Sequence, residues 1–338
     1  MPKRIYRVSL LLPLSLLIIA TTGCKQGYRR IEGFAQGGTF HIIYSPQGDE
    51  KEISRMVNSI LSEIEMTLSG YNPASVISRF NSSANGSDIE LNGYFIELFS
   101  ISDSISRITD GFFDVSAGPV FDYWGFGFKN SESMDSLIIN AVEKGAIDSI
   151  KNFCGMDMFE LIGDRIYKRD PRARLNFNAI AQGYTCDVIA DSLRSRGVEN
   201  YLVEVGMEIV CKGRNAKGGK WRIGIDKPVD GNMNAGENIQ EIVEVTDCGI
   251  VTSGNYRKYF IIDGEKYAHS IDPHTGFPTH HNLLSATIIA KNATIADALA
   301  TFAMSAGTQT AEEFFSSRSD TKAYLICGDN VIKVGDWE

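Results

Sequence analysis

A chain of 338 residues is long enough to bury a full core and to hold one large domain or two ordinary ones. Its formal charge of -9, from 33 basic and 42 acidic residues, excludes nucleic-acid binding through a broad basic face. The six cysteines show no CxxC and no zinc-like spacing, which excludes the small zinc-module classes.

Lys3, Arg4 and Arg7 precede the apolar run VSLLLPLSLLIIATT, which ends in Gly23-Cys24. Val8–Thr22 is shorter than the roughly 20 residues that a spanning helix needs. A basic start with a small-residue exit reads as a signal peptide over 1–23, the alternative being an uncleaved anchor. The Gly-Cys end is similar to a bacterial lipobox, with Thr21 where leucine is usual. Cys24 is then the lipidation site, 24–32 a tether, and the acyl chain the link to a membrane. Losing residues 1–23 removes three basic and no acidic residues, so the charge moves from -9 to -12.

In chain order, EGFAQGGTFHIIYS becomes β-branched and aromatic toward its end and reads as a strand entered through glycines. Ile53, Val57, Ile60, Leu61, Ile64 and Leu68 recur at three- and four-residue steps, predicting an amphipathic helix over 50–68. Similar spacing predicts helices over 91–109 and 134–144. MFELIGDRIYKRD is two short alternating runs about Gly163-Asp164, a hairpin signal. ARLNFNAIAQGYTCDVIADSLRSRG passes from a strand into a helix stopping at Gly197. Strands YLVEVG, WRIGID, EIVEVT and LLSATIIA follow, with a YFIIDGEKYAHSI hairpin, then the helix TIADALATFAMSAG and a closing AYLICGDNVIKVG hairpin. Helices and hairpins mixed without a βαβ rhythm predict an α+β class with a mixed, mainly antiparallel sheet and packed helices, as a single domain over 33–338.

There is no P-loop and no GxGxxG fingerprint, which removes the common nucleotide folds. Four stretches have compositions unlike simple packing. FFDVSAGPVFDYWGFG (112–127) reads as a non-helical run whose aromatic faces and close backbone suit a flat ring ligand, or equally as an aromatic core turn. LNFNAIAQGY (175–184) puts asparagines at a strand-to-helix junction, where a helix N-terminus offers N–H groups to an anion. Taken alone, Asn178 reads there as an ordinary N-cap. Asp297 and Thr301, four apart, share one face of an otherwise apolar helix. A buried carboxylate must be paired, hydrogen-bonded or metal-bound, and carboxylate plus hydroxyl oxygens suit magnesium better than zinc. An aspartate on the wet side of the helix is the competing reading.

The fourth stretch, HSIDPHTGFPTHH (269–281), packs four of the five histidines into a turn-rich loop rather than a helix with zinc spacing. His280 and His281 follow Pro278 and read as solvent-facing. His269 and Asp272 are the pair that could act on a substrate.

Together GGTFHIIY, SGYNPASVISRFN, FFDVSAGPVFDYWGFG, NFNAIAQGYTCD, YLVEVGMEIVCKG, VTSGNYRKYF, HSIDPHTGFP and ADALATFAM resemble, in order, the ApbE family of FAD:protein FMN transferases, across roughly 33–335. The resemblance implies a transfer dependent on Mg2+, with Mn2+ as the other possible ion. A Thr or Ser hydroxyl of an acceptor flavoprotein attacks the FMN-side phosphate of FAD, and AMP leaves. It implies acceptor subunits of NADH:quinone reductase or Rnf-type complexes, and a membrane-anchored lipoprotein facing the periplasm. It places Asp297, Thr301 and the carbonyl of Ala179 on the metal. Gly38, Tyr71, Phe113, Asp114, Asn176, Gln182, His269 and Ile271 line FAD, Ser253 lies near the site, and His269 with Asp272 deprotonate or orient the acceptor hydroxyl. Many relatives carry Asp at position 176 and Lys at 182, so Asn176 and Gln182 imply altered FAD contacts; restoring both should change FAD affinity. Two rivals share these residues: an FAD pyrophosphatase releasing FMN and AMP, and a lipoprotein that binds FAD without chemistry.

Overall fold

In the computed structural model the described residues are 27–127, 144–229, 236–256, 259–262 and 265–337. The signal peptide, Cys24 and the helix expected over 134–144, except its last residue, lie outside them. Among the described residues no helix is long and apolar enough to cross a membrane. The described residues form two compact units, one taken from 64–179 and 259–281, the other from 27–63, 180–256 and 282–337.

Among the described residues the helices are α1 (Glu50–Leu68), α2 (Val76–Ser82), α3 (Gly93–Ile108), α4 (Gly118–Tyr123), α5 (Lys144–Lys151), α6 (Ala181–Ser195), α7 (Ala293–Ala306) and α8 (Thr308–Ser316). All six apolar positions that predict α1 are buried, Val57 completely. Gly197, at φ 77°, ends α6 as expected, because the left-handed conformation there carries no Cβ penalty for glycine.

The second unit is built on an eight-stranded sheet in the order β1 (Arg29–Ala35), β2 (Gly38–Tyr44), β5 (Tyr201–Val205), β6 (Glu208–Lys212), β9 (Cys248–Gly254), β14 (Leu283–Ala290), β15 (Lys322–Cys327), β16 (Asn330–Val334). Every neighbouring pair is antiparallel, in agreement with the α+β expectation. Alternation along a strand divides the side chains between two layers. Cys248 and Ile250 of β9 join a cluster with Trp221, Ile223, Val243 and Val245 from the hairpin β7 (Trp221–Asp226) and β8 (Ile239–Val245). Gly249 lies on the other side, where a Cβ would sit 2.1 Å from the carbonyl carbon of Asn292, so the start of α7 rests on the strand backbone.

The sheet brings together residues that the sequence keeps apart. Cys211 and Cys248 are direct cross-strand partners, both free and buried. β1 begins at Arg29, inside the segment read as tether. It is an edge strand with mostly exposed side chains, so no buried alternation marks it.

In the first unit, β3 (Phe159–Ile162) and β4 (Arg165–Lys168) form the expected hairpin about Gly163 at φ 63°. Phe80, Phe95, Phe99, Phe159 and Phe177 pack ring to ring in its core. The expectation of a non-helical run over 112–127 is corrected: Gly118–Tyr123 is helix α4, with proline in its first turn, where a missing N–H costs no hydrogen bond. The hairpin pairs β10 (Tyr259–Ile262) and β11 (Glu265–Ala268) are followed by the short strands β12 (Ile271–Asp272) and β13 (Phe277–Pro278).

Lys168 is buried, and its Nζ donates to the carbonyls of Ser83 at 2.7 Å, Pro171 at 3.2 Å and Asn81 at 3.4 Å. Burial, and then the charge of Arg174, lower its pKa to about 8. A lysine whose folded pKa lies below its unfolded value is destabilising while protonated. That cost is present in full below about pH 8 and is relieved as pH rises toward the unfolded value. Wild type should therefore gain stability relative to Lys168→Met between pH 8 and 10.5, with a constant gap below pH 8, in denaturant melts across that range. A gap independent of pH up to 10.5 would refute the assignment.

Candidate active site

In the second unit, α6 and α7 cross on the helix-covered face of the sheet. The crossing is close because position 183 is glycine: a Cβ there would meet the Ala293 carbonyl oxygen at 2.5 Å and Asp297 Cβ at 2.8 Å. Asp297 is buried, and its Oδ2 accepts the Gly183 N–H at 3.1 Å. Its neighbours along α7 are Ala296, Ala298, Ala300 and Phe302. Burial pushes its carboxyl up to about 8, against the opposing Gly183 hydrogen bond, and the charge of Asp187 adds to the rise. The wet-side reading of Asp297 is thus excluded.

A buried carboxylate with one hydrogen bond and a second acid nearby is short of positive charge. Thr301, half-buried, stands one turn further along the same face. This pair of hard oxygens fits a magnesium-type ion. Among the described residues no group of three or more His, Cys, Asp or Glu could hold a metal, so a zinc-like cluster finds no support.

Asp187 on α6 is a site residue that no local pattern in the sequence marks. Its carboxylate accepts the N–H groups of Ala293 at 3.0 Å and Thr294 at 2.8 Å, and the Thr294 hydroxyl. It caps α7 from outside, while Asn292 Oδ1 caps it locally on Ile295 N–H at 3.0 Å. Burial raises its pKa to about 6 despite these donors.

Two expected flavin contacts, Gly38 and Gln182, lie by the start of α6, and a third, Ser253, is on β9. Gly38 opens β2 after a tight turn in which Gln36 and Gly37 have φ of 51° and 78°, and a Cβ on it would lie 3.3 Å from Gly206 Cα. Gln182 Nε2 donates to the Gln36 carbonyl at 3.4 Å and would lie 2.2 Å from a Cβ on Gly206. Ser253 is half-buried on β9, paired with Ala286. The N-cap of α6 is Ile180, with no side-chain cap, which corrects the Asn178 reading. Asn178 instead donates its N–H to Asn176 Oδ1 at 3.0 Å in a local turn.

The first unit holds the remaining expected residues. Phe113 and Ile271 are each 1 % exposed, so their side chains belong to the core and only their backbone can meet a ligand. Burial raises the Asp114 carboxyl, although Ser116 N–H donates to it at 2.7 Å. Asn176 N–H donates to the Val115 carbonyl at 2.7 Å, tying the 112–127 segment to the strand-like approach to α6. Ala179, half-buried, directly precedes the Ile180 cap. Tyr71 is 66 % exposed and lines a pocket of about 250 Å³.

The histidine-rich stretch is a hairpin turn between β12 and β13. Asp272 Oδ1 accepts the His274 N–H at 2.9 Å and faces His274 Nδ1 at 3.3 Å, while the Asp272 carbonyl accepts Gly276 N–H at 2.7 Å. His274 Nε2 donates to the Asp110 carbonyl at 2.7 Å, and its ring lies edge-on to Phe112. Lys151 Nζ donates to the His274 carbonyl, and Trp124 Nε1 to that of Gly276. The turn is therefore held by Asp272 and His274. Sequence reasoning passed over His274, since nothing local marks a histidine that bonds a carbonyl 164 residues away. His269 lies outside the turn, edge-on to Phe126 at 6.4 Å. Of the expected pair, Asp272 has a turn-holding part.

These features can be set beside known proteins. An FAD:protein FMN transferase of Vibrio cholerae is 35% identical over 301 residues, covering 87% of this chain and 86% of its own. That of Escherichia coli K12 is 32% identical over 296 residues, covering 86% and 81%. Among solved structures, the flavin transferase ApbE from Vibrio cholerae superposes with a TM-score of 0.78 at 29% identity, over 90% of this chain and 96% of that one. The apo flavinyl transferase ApbE of Pseudomonas stutzeri gives 0.77 at 29% identity, over 91% and 94%. The ApbE family pattern matches residues 37–325, nearly the whole described fold, and with these relatives it shows that the chain belongs to the ApbE family.

Proposed function

We propose that the chain is an FAD:protein FMN transferase. The observation that carries this is the identity, over 87% of the chain, with a relative of that name. The buried Asp297 beside Thr301 supports it from the chemistry of the site. In the reaction an acceptor Ser or Thr Oγ forms a bond to the FMN-side phosphorus of FAD. The bond between that phosphorus and the bridging oxygen breaks, AMP leaves with the bridging oxygen, and the hydroxyl proton passes to a base, assigned to His269. Magnesium, when bound, neutralises charge on the pyrophosphate. Asp297, Thr301 and the Ala179 carbonyl would hold it.

The chain's own residues bind and orient. Gly38 and the backbone at Phe113 and Ile271 allow close approach, Tyr71 offers a ring face, and Asp114, Asn176 and Gln182 offer polar contacts, with Ser253 nearby. Asp272 keeps the hairpin that follows His269 in shape. We assign residues 1–23 to export, Cys24 to lipidation, 24–32 to the tether and 33–338 to the transferase domain, which places the enzyme at a membrane facing the periplasm. Acceptor subunits of NADH:quinone reductase or Rnf-type complexes are the proposed partners.

The test incubates the full chain with FAD, magnesium and an acceptor subunit, and follows acceptor mass and AMP together. One FMN added per acceptor with matching AMP supports transfer. Free FMN and AMP with an unlabelled acceptor would replace the proposal by pyrophosphatase activity, and FAD binding without either product would replace it by a carrier role.

A further inference from the structure

The pocket beside Tyr71 contains a charged group that none of these roles uses. It is lined in part by Tyr71, Pro73, Gly118, Asp122, Arg174 and Leu175, all of the first unit. Arg174 is held by its backbone from both sides. It bridges Ala117 in a parallel pairing. The next residue, Leu175, is clamped by the Asn81 side chain, which accepts its N–H at 2.8 Å and donates to its carbonyl at 2.8 Å. Asn176 is tied in turn to Val115.

The half-buried guanidinium itself takes part in no ion pair or hydrogen bond among the described residues. Asp122, the acid in the pocket wall, is turned to Gly127, where a Cβ would lie 1.9 Å from its Oδ1. Lys168, the neighbouring cation, has its ammonium spent on carbonyls and feels Arg174 as a repulsion. The pocket thus presents an uncompensated five-donor fork, carried on an anchored backbone, together with an exposed aromatic ring. A guanidinium in that state suits a bidentate phosphate oxyanion, and the tyrosine suits a ring. At about 250 Å³ the pocket is smaller than the roughly 300–1,000 Å³ of a whole small-molecule site, so it takes one end of a dinucleotide.

We propose that Arg174 binds a phosphate of the flavin nucleotide in the pocket beside Tyr71. The inference rests on the transferase reading for the identity of the ligand. Dissociation constants for FAD and for riboflavin, which has the ring and no phosphate, are measured on the full chain as wild type, Arg174→Gln and Arg174→Lys. Arg174→Gln should weaken FAD about tenfold or more, in the range of a lost charge-assisted pair, while leaving riboflavin within twofold. Arg174→Lys, with a point charge in place of the fork, should fall between. Because Arg174 loses no protein partner, the melting temperature of Arg174→Gln should not drop. FAD affinity within twofold of wild type would overturn the proposal, and so would an equal loss for riboflavin. Wild-type protein that binds FAD but labels no acceptor would sink the transferase reading alone, since the Arg174 result is read from binding.

Discussion

Asp297→Ala should abolish FMN transfer, lowering the rate by about a thousandfold or more, the order expected when a metal-holding carboxylate is lost from a phosphoryl-type transfer. Its surroundings explain the size of the effect. The carboxylate is buried in an alanine-rich stretch of α7, accepts one hydrogen bond, and is driven by desolvation toward its neutral form. Ionised, it is costly unless a cation stands beside it. The same argument says that the variant should fold, because truncation removes a costly group along with one contact to Gly183. Two measurements check this. Flavin transfer to an acceptor reports activity, and the shift of melting temperature on adding magnesium reports binding without any turnover. Wild type should be stabilised by the ion and Asp297→Ala should not. A variant that keeps a tenth of wild-type transfer, or the full magnesium shift, would remove Asp297 from the metal site.

Gly183→Ala should destabilise the protein by about 1–3 kcal/mol, the usual cost of overpacking. Alanine in a helix interior is ordinarily favoured over glycine by about 1 kcal/mol, so the sign of the change is itself diagnostic. The added methyl would fall 2.5 Å from the Ala293 carbonyl oxygen and 2.8 Å from Asp297 Cβ. Backbone cannot swing aside as a side chain can, so α6 and α7 must separate. That separation carries Asp297 away from its Gly183 N–H partner, and transfer should fall further than the stability loss alone explains. Gly224→Ala is the control. Its nearest neighbour is the flexible Ile239 Cδ1 at 3.4 Å, and it should change stability by less than about 1 kcal/mol. Denaturant midpoints for both variants with transfer rates beside them decide the matter, and a neutral or stabilised Gly183→Ala would show that the crossing is looser than described.

Much of this molecule was legible from its residues, where the signal is local. The stripe on α1, the β3–β4 hairpin, the stop at Gly197 and the odd presence of Asp297 in an apolar helix each depend on residues within a few turns of chain. The motifs from GGTFHIIY to ADALATFAM were sufficient to point to the ApbE family. Other elements left no such trace. β6 and β9 lie inside the sheet with both faces largely covered, so their apolar runs do not alternate with polar residues. α4 was masked by glycine, proline and aromatics that pattern reading assigns to a loop.

The site divides the same way. That Asp297 and Thr301 share a face follows from helical period alone. That Asp297 is buried, that its partner is Gly183, that Asp187 caps the helix carrying it, and that Asp272 and His274 hold the hairpin beside His269 depend on segments distant in the chain. The residues by themselves determined the family and the class of fold, and marked Asp297 as a carboxylate out of place in an apolar helix. Only the tertiary structure decided which groups are desolvated and which donors reach them. Local periodicity sets which way a side chain points from its own helix or strand, whereas desolvation and hydrogen bonding depend on what the rest of the chain brings against it.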